Sequence, residues 1–344
     1  MITGPKAERL GLAEMIEDRS LKILTNHWGQ KASPTWSEFT TYIPPEGRGF
    51  LSSFKLAVRL YAKRKNYDCV VLGAGTSDFL FALMQSLLPF KKVPCVMIDC
   101  LWYKDPNKFF HFLKTIILKA TNRSVNRFVV WASREIKAYS ETWRLPQEKF
   151  VFVPYHTTLE GINIKPVEGD YIFSGGNFGR DYDTLIDAVR GLPIKLLIAS
   201  TRPELFSKIS IPQNVEISGF SHEEYLKKMA GCFINVVSLD VDLLHSGGQQ
   251  TFLNSMRFGK PTIVNDPDGA ADYIKHGEDG FLVRPKDPTA LREAIKFLLK
   301  HAEKRKAMGV KAAQKAKTFS TEEHFKKVVS VVYEVVEGSK YIEN

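Results

Sequence analysis

Two glycine-rich turns in the second half of the sequence contain the residue types of a phosphate-binding site. The later turn opens the segment HSGGQQTFLNSMRFGKPTIV, in which Ser246 suits a helix N-cap and Gly247 and Gly248 leave the first turn uncovered. The exposed amides and the dipole of the following helix would attract an anion. The segment contains no Asp or Glu, so it offers no carboxylate of its own for acid–base catalysis.

The earlier turn lies in YIFSGGNFGRDYDTLIDAV, about 70 residues upstream. Gly175 and Gly176 would let the backbone approach a ligand closely, and Arg180 can form a bidentate contact with a phosphate. An ordinary glycine turn between a strand and a helix is the alternative. The order Gly-Gly-Asn-Phe-Gly-Arg differs from the GxGxxG of dinucleotide-binding proteins and disfavours a nicotinamide site. Two such turns in one half of the chain indicate a diphosphate.

The elements that must position these turns follow a regular alternation. Short apolar runs alternate with longer amphipathic ones, which predicts parallel strands joined by crossover helices and an α/β fold. Residues 26–49, rich in Gly, Pro, Ser and Thr, break the alternation and are predicted to form a long loop on the ligand side. A polar stretch near residues 155–168 separates two such series, and residues 287–304 are predicted to form one helix. Folds of this kind bind ligands at the carboxyl ends of their strands.

Length and composition are typical of a folded protein with two domains. The chain has 344 residues, of which 44% are hydrophobic and 25% are charged. No apolar run reaches the roughly 18 residues of a membrane span, and the polar start is unlike a signal peptide, so we expect a cytoplasmic protein. The cysteines lack the spacing of a metal site and are interpreted as buried apolar side chains: Cys69, Cys95, Cys100 and Cys232.

The excess positive charge lies in the first half. Residues 1–165 contain 24 Lys and Arg against 14 Asp and Glu, whereas residues 166–344 contain 24 of each. The segments NKFFHFLKTIILKATNRSVNRF, LPFKK and YAKRK would suit the anionic inner face of the cytoplasmic membrane and a lipid-linked acceptor. A buried crossover helix with solvated lysines is the alternative. No RNA-binding signature or helix-turn-helix pattern accompanies these charges, so no nucleic acid partner is expected.

Four segments of the second half resemble, in order and spacing, the retaining glycosyltransferases of family 4, which have the GT-B fold. They are GGNFGRDYDTLIDA, VEISGFSHEEYLKKMAGCFINVVS, LNSMRFGKPTIV and GEDGFLVRPKDPTALREAI, and they cover most of residues 171–297. The first half of the chain resembles the family only in its alternation of short apolar and longer amphipathic runs. The resemblance implies two Rossmann-like doubly wound domains that face each other across a cleft. Residues 1–160 would bind the acceptor, residues 161–320 would bind a nucleotide-sugar donor, and a helix over residues 321–344 would pack back on the first domain.

The resemblance also implies roles for individual residues. Arg180 matches a basic residue that contacts the donor diphosphate, while a second basic residue slightly earlier in the loop is missing. The nucleotide base is held near the turn that matches Gly219 and Phe220. Amides of the later glycine loop meet the diphosphate or the sugar. The implied donor-binding residues are Gly175, Gly176, Asn177, Arg180, Gly219, Phe220, Ser246, Gly247, Gly248, Gln249 and Asn254.

One departure from the family falls in the later glycine segment. Family members have two glutamates separated by seven residues, and Ser246 and Asn254 stand at these places. Asn254 can contact the ribose hydroxyls, because an amide both donates and accepts hydrogen bonds. Ser246 cannot replace the negative charge near the transferred sugar. Asp240 and Asp242 could supply a carboxylate if their loop folds back.

In the first half, the resemblance points to Asp99. It ends a strand where family members carry a His or Asp that faces the cleft, and we expect it to contact the sugar or the acceptor, with a loop or cap carboxylate as the alternative. Asp99 and Arg180 are the predicted catalytic residues. Side chains at the first strand end and at a helix start are expected to bind the acceptor: His27, Trp28, Thr76 and Ser77.

With these observations, the resemblance implies a retaining glycosyltransferase of cell-surface polysaccharide or glycoconjugate synthesis, which moves a hexose from a nucleoside diphosphate to a glycan or lipid-linked acceptor. No cofactor is expected besides the sugar nucleotide, and no metal, since the Asp-x-Asp at residues 240–242 is interpreted as a loop. A non-catalytic GT-B protein that binds a glycan or scaffolds a synthesis complex is one alternative. A nucleotide-sugar epimerase is less favoured, because the glycine segment offers no carboxylate for proton transfer.

Overall fold

The computed structural model describes residues 21–29, 32–90, 92–240, 244–265 and 267–343. They form two α/β domains, each built on a six-stranded parallel sheet. The strands are short and rich in β-branched and other apolar residues, and most of their side chains are buried because helices cover both faces.

The first domain has the sheet order β2-β1-β3-β4-β5-β6. Short 3-10 turns at Arg64–Asn66 and Gln147–Lys149 connect some of its elements. Its strands and helices are β1 (Ile23–Thr25), α1 (Pro34–Phe39), β2 (Thr40–Tyr42), α2 (Phe50–Lys63), β3 (Cys69–Leu72), α3 (Thr76–Leu87), β4 (Cys95–Met97), α4 (Lys108–Thr121), β5 (Arg127–Val130), α5 (Ser133–Trp143) and β6 (Phe150–Phe152).

Residues 26–49 are not the long loop that their composition predicted, since they contain α1 and β2. Ser33 caps α1 by accepting a hydrogen bond from the Trp36 N–H at 3.1 Å, and Pro34 occupies the first helical position. The Trp36 side chain is fully buried. Strand β2 then adds to the sheet edge in parallel with β1. Burial of Trp36 and the Ser-Pro helix start therefore outweigh the loop-like composition.

The second domain has the sheet order β12-β11-β10-β7-β8-β9. The chain reverses its direction of travel across this sheet between β7 and β10, which is the topological switch point where such folds bind ligands. Its elements are β7 (Tyr171–Gly175), α6 (Tyr182–Val189), β8 (Lys195–Ala199), a 3-10 turn (Pro203–Phe206), β9 (Val215–Ser218), α7 (His222–Ala230), β10 (Ile234–Val237), α8 (Gln249–Arg257), β11 (Thr262–Val264), α9 (Pro267–Ala270), β12 (Phe281–Leu282), α10 (Pro288–Lys300) and α11 (Ala302–Ala316).

The helix predicted over residues 287–304 is two helices. Helix α10 ends at Lys300, and α11 begins at Ala302. His301 lies between them with φ −112° and ψ 76°, which is not a helical conformation. Its ring stacks on Phe297 with the centroids 4.3 Å apart, so the break is held by side-chain packing.

The last helix, α12 (Thr321–Glu343), follows a 3-10 turn at Lys317–Phe319 and covers one face of the first sheet. Its buried residues, including Phe325 and Val332, pack against Ile23, Val71 and Val96. No helix in the described part of the chain is long and apolar enough to cross a membrane.

Candidate functional site

The turn after β7 brings Gly176 and Arg180 together at the switch point. Gly176 has a φ of +136°, a region that favours glycine, and a Cβ there would lie 2.6 Å from the guanidinium of Arg180. The Nε of Arg180 donates to the Gly175 carbonyl at 3.0 Å. Only glycine at position 176 therefore lets the backbone and the guanidinium come this close.

Arg180 also connects this turn to α8. One guanidinium nitrogen, Nη2, donates to the hydroxyl of Thr251 at 3.2 Å. Asn177 fixes the same turn from the other side, because its Oδ1 accepts from the Thr201 N–H at 3.0 Å and from the Ser200 hydroxyl at 2.9 Å. The guanidinium is thus held in place by uncharged partners, two backbone carbonyls and one hydroxyl.

A pocket of about 380 Å³ lies inside the second domain, at the carboxyl ends of β7 and β8. Phe220 and Tyr225 supply aromatic surface, and Asn254 lies at one end of it. Gly219 is an exposed turn residue next to this pocket and does not line it. The lining residues are Gly176, Asn177, Ala199, Ser200, Thr201, Phe220, His222, Tyr225, Leu226, Met229, Gln250, Thr251 and Asn254.

A larger cavity of about 640 Å³ lies between the two domains and shares Gln250 and Thr251 with the smaller pocket. Arg180 lines the larger cavity and bonds to Thr251, so the guanidinium stands where the two spaces meet. The full lining is Leu101, Tyr103, Trp131, Tyr155, Phe178, Gly179, Arg180 and residues 245–251.

The glycine loop at residues 246–248 forms one wall of the larger cavity. Gly248 has a φ of +79° directly before α8, and a Cβ there would lie 2.8 Å from the side chain of Val237. Two nitrogens in this wall are buried without a protein partner: Nε2 of Gln249 and Nδ1 of His245. Burial, together with the nearby Arg134 charge, lowers the pKa of His245 to about 4, so its ring is neutral near pH 7. The wall therefore offers uncommitted hydrogen-bonding atoms to a ligand.

Ser246 belongs to the lining of the larger cavity, and its polar groups are held by the first domain. Its hydroxyl accepts from Nε of Arg134 at 3.1 Å, and its N–H donates to the carboxylate of Glu135. The same carboxylate accepts from the N–H groups of Trp131 and Ala132 at 2.8 and 3.0 Å. Burial raises the pKa of Glu135 to about 7, although these hydrogen bonds oppose the shift. Glu135 thus brings a buried carboxyl group from the first domain to the backbone of the glycine loop.

Other contacts near the start of α5 join the domains. Ser133 donates through its N–H and its hydroxyl to Asp272, at 2.7 and 2.8 Å. The hydroxyl of Tyr273 donates to the Trp131 carbonyl and accepts from the Tyr155 N–H. The beginning of α5 is therefore one docking point of the first domain on the second.

Asn254 is buried, and its amide is occupied by the linker between the domains. Its Oδ1 accepts from the Thr158 N–H at 2.9 Å, and its Nδ2 donates to the Thr158 hydroxyl at 3.0 Å. Asn254 still borders the smaller pocket, so its predicted contact with the ribose stays a prediction. In this structure its amide positions the linker.

Asp240 does not bring a carboxylate to the glycine loop. Its N–H donates to the Gly179 carbonyl at 3.1 Å, and its carboxylate lies 3.6 Å from the ammonium of Lys286. Asp242 lies outside the described residues. Within those residues, no three His, Cys, Asp or Glu side chains are grouped closely enough to hold a metal ion.

In the first domain, His27 and Asp99 form a pair. Nε2 of His27 lies 2.9 Å from Oδ2 of Asp99, while the N–H of Gly29 donates to Nδ1 of the same ring. A donor at Nδ1 requires a lone pair there, so the Nε2 proton points at Asp99. Asp99 has a φ of +56°, which is strained for a residue other than glycine. It precedes Leu101, which lines the larger cavity, by two residues.

The other expected acceptor contacts divide into exposed and buried groups. Trp28 is exposed and stacks on His27 with the ring centroids 5.6 Å apart, and Thr76 is exposed in the first turn of α3. Ser77, in contrast, is buried, and its hydroxyl donates to Asp78, which caps α3. Ser77 thus belongs to the helix start and not to an open cleft wall.

The structure adds residues to the site that sequence reasoning missed. Arg134, Glu135 and His245 surround the glycine loop, and Tyr225 and Thr251 complete the smaller pocket. A local signal existed only for Glu135, since an acidic residue at the third position of a helix is typical of a capping box.

Comparison with known proteins agrees with this geometry. Residues 162–315 match the family model of glycosyl transferases group 1. A curated D-rhamnosyltransferase, WbpZ of Pseudomonas aeruginosa, is 28% identical over 132 residues, which are 36% of this chain and 34% of that protein. The match therefore spans about a third of the length of the relative.

Solved structures match nearly the whole chain. Sucrose-phosphate synthase from Thermosynechococcus elongatus superposes with a TM-score of 0.66 at 18% identity, over 90% of this chain and 82% of its own. HepE of Anabaena, solved in complex with UDP, superposes with a TM-score of 0.66 at 13% identity, over 91% of this chain and 100% of its own. At these identities the likeness shows the fold, and it confirms the predicted pair of facing Rossmann-like domains. Residues 162–315 are therefore similar to glycosyl transferases group 1, and the chain has the GT-B fold.

Proposed function

We propose that the protein is a glycosyltransferase that moves a sugar from a nucleoside diphosphate to a glycan or lipid-linked acceptor. One observation carries the proposal: a pocket suited to a nucleoside and a larger cavity between the domains meet at the guanidinium of Arg180. A sugar nucleotide consists of a nucleoside, a diphosphate and a sugar in that order, which match the smaller pocket, Arg180 and the larger cavity. The match of residues 162–315 to glycosyl transferases group 1 supports the assignment.

The donor would lie across the switch point. The base would pack between Phe220 and the residues of the smaller pocket, and the diphosphate would meet Arg180. Amides at the start of α8 and the helix dipole would share in binding the negative charge. The transferred sugar would then occupy the larger cavity beside Gln249 and His245, whose buried nitrogens have no protein partner.

The transfer we propose proceeds with retention and without a metal. The bond between the anomeric carbon and the diphosphate oxygen breaks, and a bond to the acceptor oxygen forms on the same face of the sugar. The acceptor proton passes to the departing diphosphate oxygen, so no protein nucleophile is required. Arg180 and the loop amides stabilise the growing negative charge of the leaving group. Asp99 and His27 would orient the acceptor from the first domain.

A non-catalytic role is the second candidate, favoured by the engagement of Ser246 and Asn254. Both stand at positions of family glutamates, and their side chains bond to Arg134 and Thr158. A protein of this kind would bind a sugar nucleotide or a glycan without turnover, as part of a complex for cell-surface polysaccharide or glycoconjugate synthesis.

Isothermal calorimetry against UDP-, GDP- and ADP-sugars tests the proposal. We expect one series to bind, and the free nucleoside diphosphate to compete with it. HepE was solved with UDP, so the UDP series is the first to examine. No binding in any series would overturn the proposal. Binding without transfer to membrane-extracted glycolipids, and without slow donor hydrolysis, would favour the non-catalytic role.

A further inference from the structure

Three helices of the first domain leave large apolar side chains in water. The sequence left open whether the apolar face of α4 packs inward, and the structure decides the question: Phe109 is 66% exposed and Phe112 is 62% exposed. The other exposed apolar side chains of these helices and of the turn after α3 are Phe50, Leu51, Phe54 and Val58 on α2, Leu87, Leu88 and Phe90 at the end of α3, and Phe110, Leu113 and Ile116 on α4.

These side chains share one layer of the domain. Helix α3 packs between α2 and α4, and the hydroxyl of Ser86 on α3 donates to the Ala120 carbonyl of α4 at 2.7 Å. The ammonium of Lys65, just after α2, lies over the Phe90 ring. The exposed residues therefore belong to adjacent helices and not to scattered points of the surface.

The layer borders the cleft. Helices that connect parallel strands begin at the carboxyl edge of the sheet, where β1 and β4 end beside His27 and Asp99. Phe50, Phe109 and Phe110 lie in the first turns of α2 and α4, and hence at this edge. The apolar surface thus reaches the side of the domain on which the acceptor is expected.

The charge of the layer selects the partner. Helices α2 and α4 contain six Lys and Arg residues and no Asp or Glu, and the only acidic residue of α3, Asp78, is buried. Aromatic and aliphatic side chains flanked by cations favour the boundary of an anionic bilayer, where the rings enter the acyl region and the lysines meet lipid phosphates.

We propose that the exposed face of α2, α3 and α4 lies on an anionic membrane and delivers a lipid-linked acceptor to the cleft edge beside Asp99. This inference rests on the proposed function for the identity of the acceptor, but the membrane contact itself does not. The face would bind the bilayer whether or not a sugar nucleotide is the donor.

Vesicle flotation tests the contact. The full chain is mixed with vesicles of phosphatidylcholine alone, or of phosphatidylcholine with an equal part of phosphatidylglycerol, at low and high salt. We expect flotation with the anionic vesicles, and less of it at high salt. Replacing three exposed rings together (Phe109→Ser, Phe110→Ser, Phe112→Ser) should reduce binding by at least about tenfold, since each ring removes apolar surface that the bilayer would bury.

The matched control removes three exposed apolar residues from the second half of the chain: Val167→Ser, Ile211→Ser and Val310→Ser. It should float like the wild type. A second variant, Lys108→Gln with Lys119→Gln, changes exposed charges and leaves the fold alone. It should lose roughly 30-fold in low-salt binding, which corresponds to about 1 kcal/mol for each lysine.

Three results would overturn the proposal: no flotation of the wild type, equal flotation with neutral vesicles, or unchanged flotation of both the Phe and Lys variants. A wild-type dimer that the Phe variant converts to a monomer in sedimentation would also overturn it, because a second copy would then cover this face. Calorimetry with sugar nucleotides on the same samples keeps the two proposals separate. A wild-type protein that binds a sugar nucleotide but does not float contradicts the membrane contact alone, and one that floats but binds no sugar nucleotide contradicts the donor assignment alone.

Discussion

The carboxylate of Glu135, in the first domain, accepts a hydrogen bond from the backbone N–H of Ser246, in the glycine loop of the second. Burial raises the pKa of this carboxyl from 4.5 to about 7, so in that interval the folded protein holds a proton that the unfolded chain has released. The stabilisation from this group is therefore complete below pH 4.5 and is lost as the pH rises through about 7.

Glu135→Gln should flatten this dependence. An amide of the same shape has no proton to lose, so the free energy of unfolding of the variant should decline less steeply with pH, by up to about 1.4 kcal/mol per pH unit. Urea unfolding of the wild type and of Glu135→Gln between pH 4.5 and about 7 measures the difference in their free energies of unfolding. Contributions of buried histidines such as His245 and His324 cancel in this difference. Glu141→Gln, exposed on the same helix, is the control. Parallel curves for all three proteins would refute the assignment.

Arg180→Ala should weaken nucleoside diphosphate binding by roughly 10- to 150-fold, because charged hydrogen bonds contribute about 1.5–3 kcal/mol. Affinity for the nucleoside without phosphates should stay unchanged, since the smaller pocket remains. The nucleoside diphosphate affinity of Arg180→Lys should lie between those of the wild type and of Arg180→Ala, because lysine keeps the charge and loses the bidentate geometry. Calorimetry measures each constant, with Arg284→Ala, an exposed arginine of the same domain, as the control. An equal loss for nucleoside and nucleotide would indicate damage to the loop instead.

Asn254→Ala should reduce donor affinity by about fivefold, as expected for a lost hydrogen bond of about 1 kcal/mol. If the amide contacts the ribose, the loss should disappear with the 2′,3′-dideoxy nucleotide, which lacks the hydroxyl groups. Thr158→Val, which removes the hydroxyl partner of the Asn254 Nδ2, isolates the effect of the linker. An identical loss with both nucleotides would leave Asn254 with a linker role only.

Asp99→Asn should lower the rate of transfer by about 10- to 100-fold, because the imidazole of His27 would lose its charged partner. Donor affinity should not change, since the pair lies in the first domain. Steady-state kinetics separate the rate of transfer from donor affinity, and we expect kcat to fall while the KM for the donor stays constant. Glu141→Gln serves again as the exposed carboxylate control. A rise in donor KM with constant kcat would place Asp99 at the donor.

The parts of the site that local patterns specify could be predicted from the sequence. Gly176 and Arg180 follow the end of β7 and Gly248 directly precedes α8, elements whose apolar patterns are visible in the chain, and the fold follows from those patterns and from the resemblance. Phe220, which was predicted to lie near the nucleotide base, lines the smaller pocket, whereas Gly219 lies beside it and not in its lining.

The interdomain contacts could not be predicted, because they join residues far apart in sequence. Glu135 reaches Ser246 across 111 positions, and Asn254 bonds Thr158 across 96. No spacing rule encodes such pairs. Likewise, periodicity shows that α4 has an apolar face and cannot show whether a neighbour covers it. Helix α1 was missed although Ser33 and Pro34 are a recognisable helix start.

The chain passes between the domains twice, and the two passages are fastened to each other. The Thr157 N–H, in the first passage, donates to the Phe319 carbonyl in the second at 2.8 Å, and the Thr321 hydroxyl donates to the Thr157 carbonyl. The two passages therefore share one fixed point, and neither can shift without breaking hydrogen bonds to the other. The contacts at the start of α5 join the domains independently of this point.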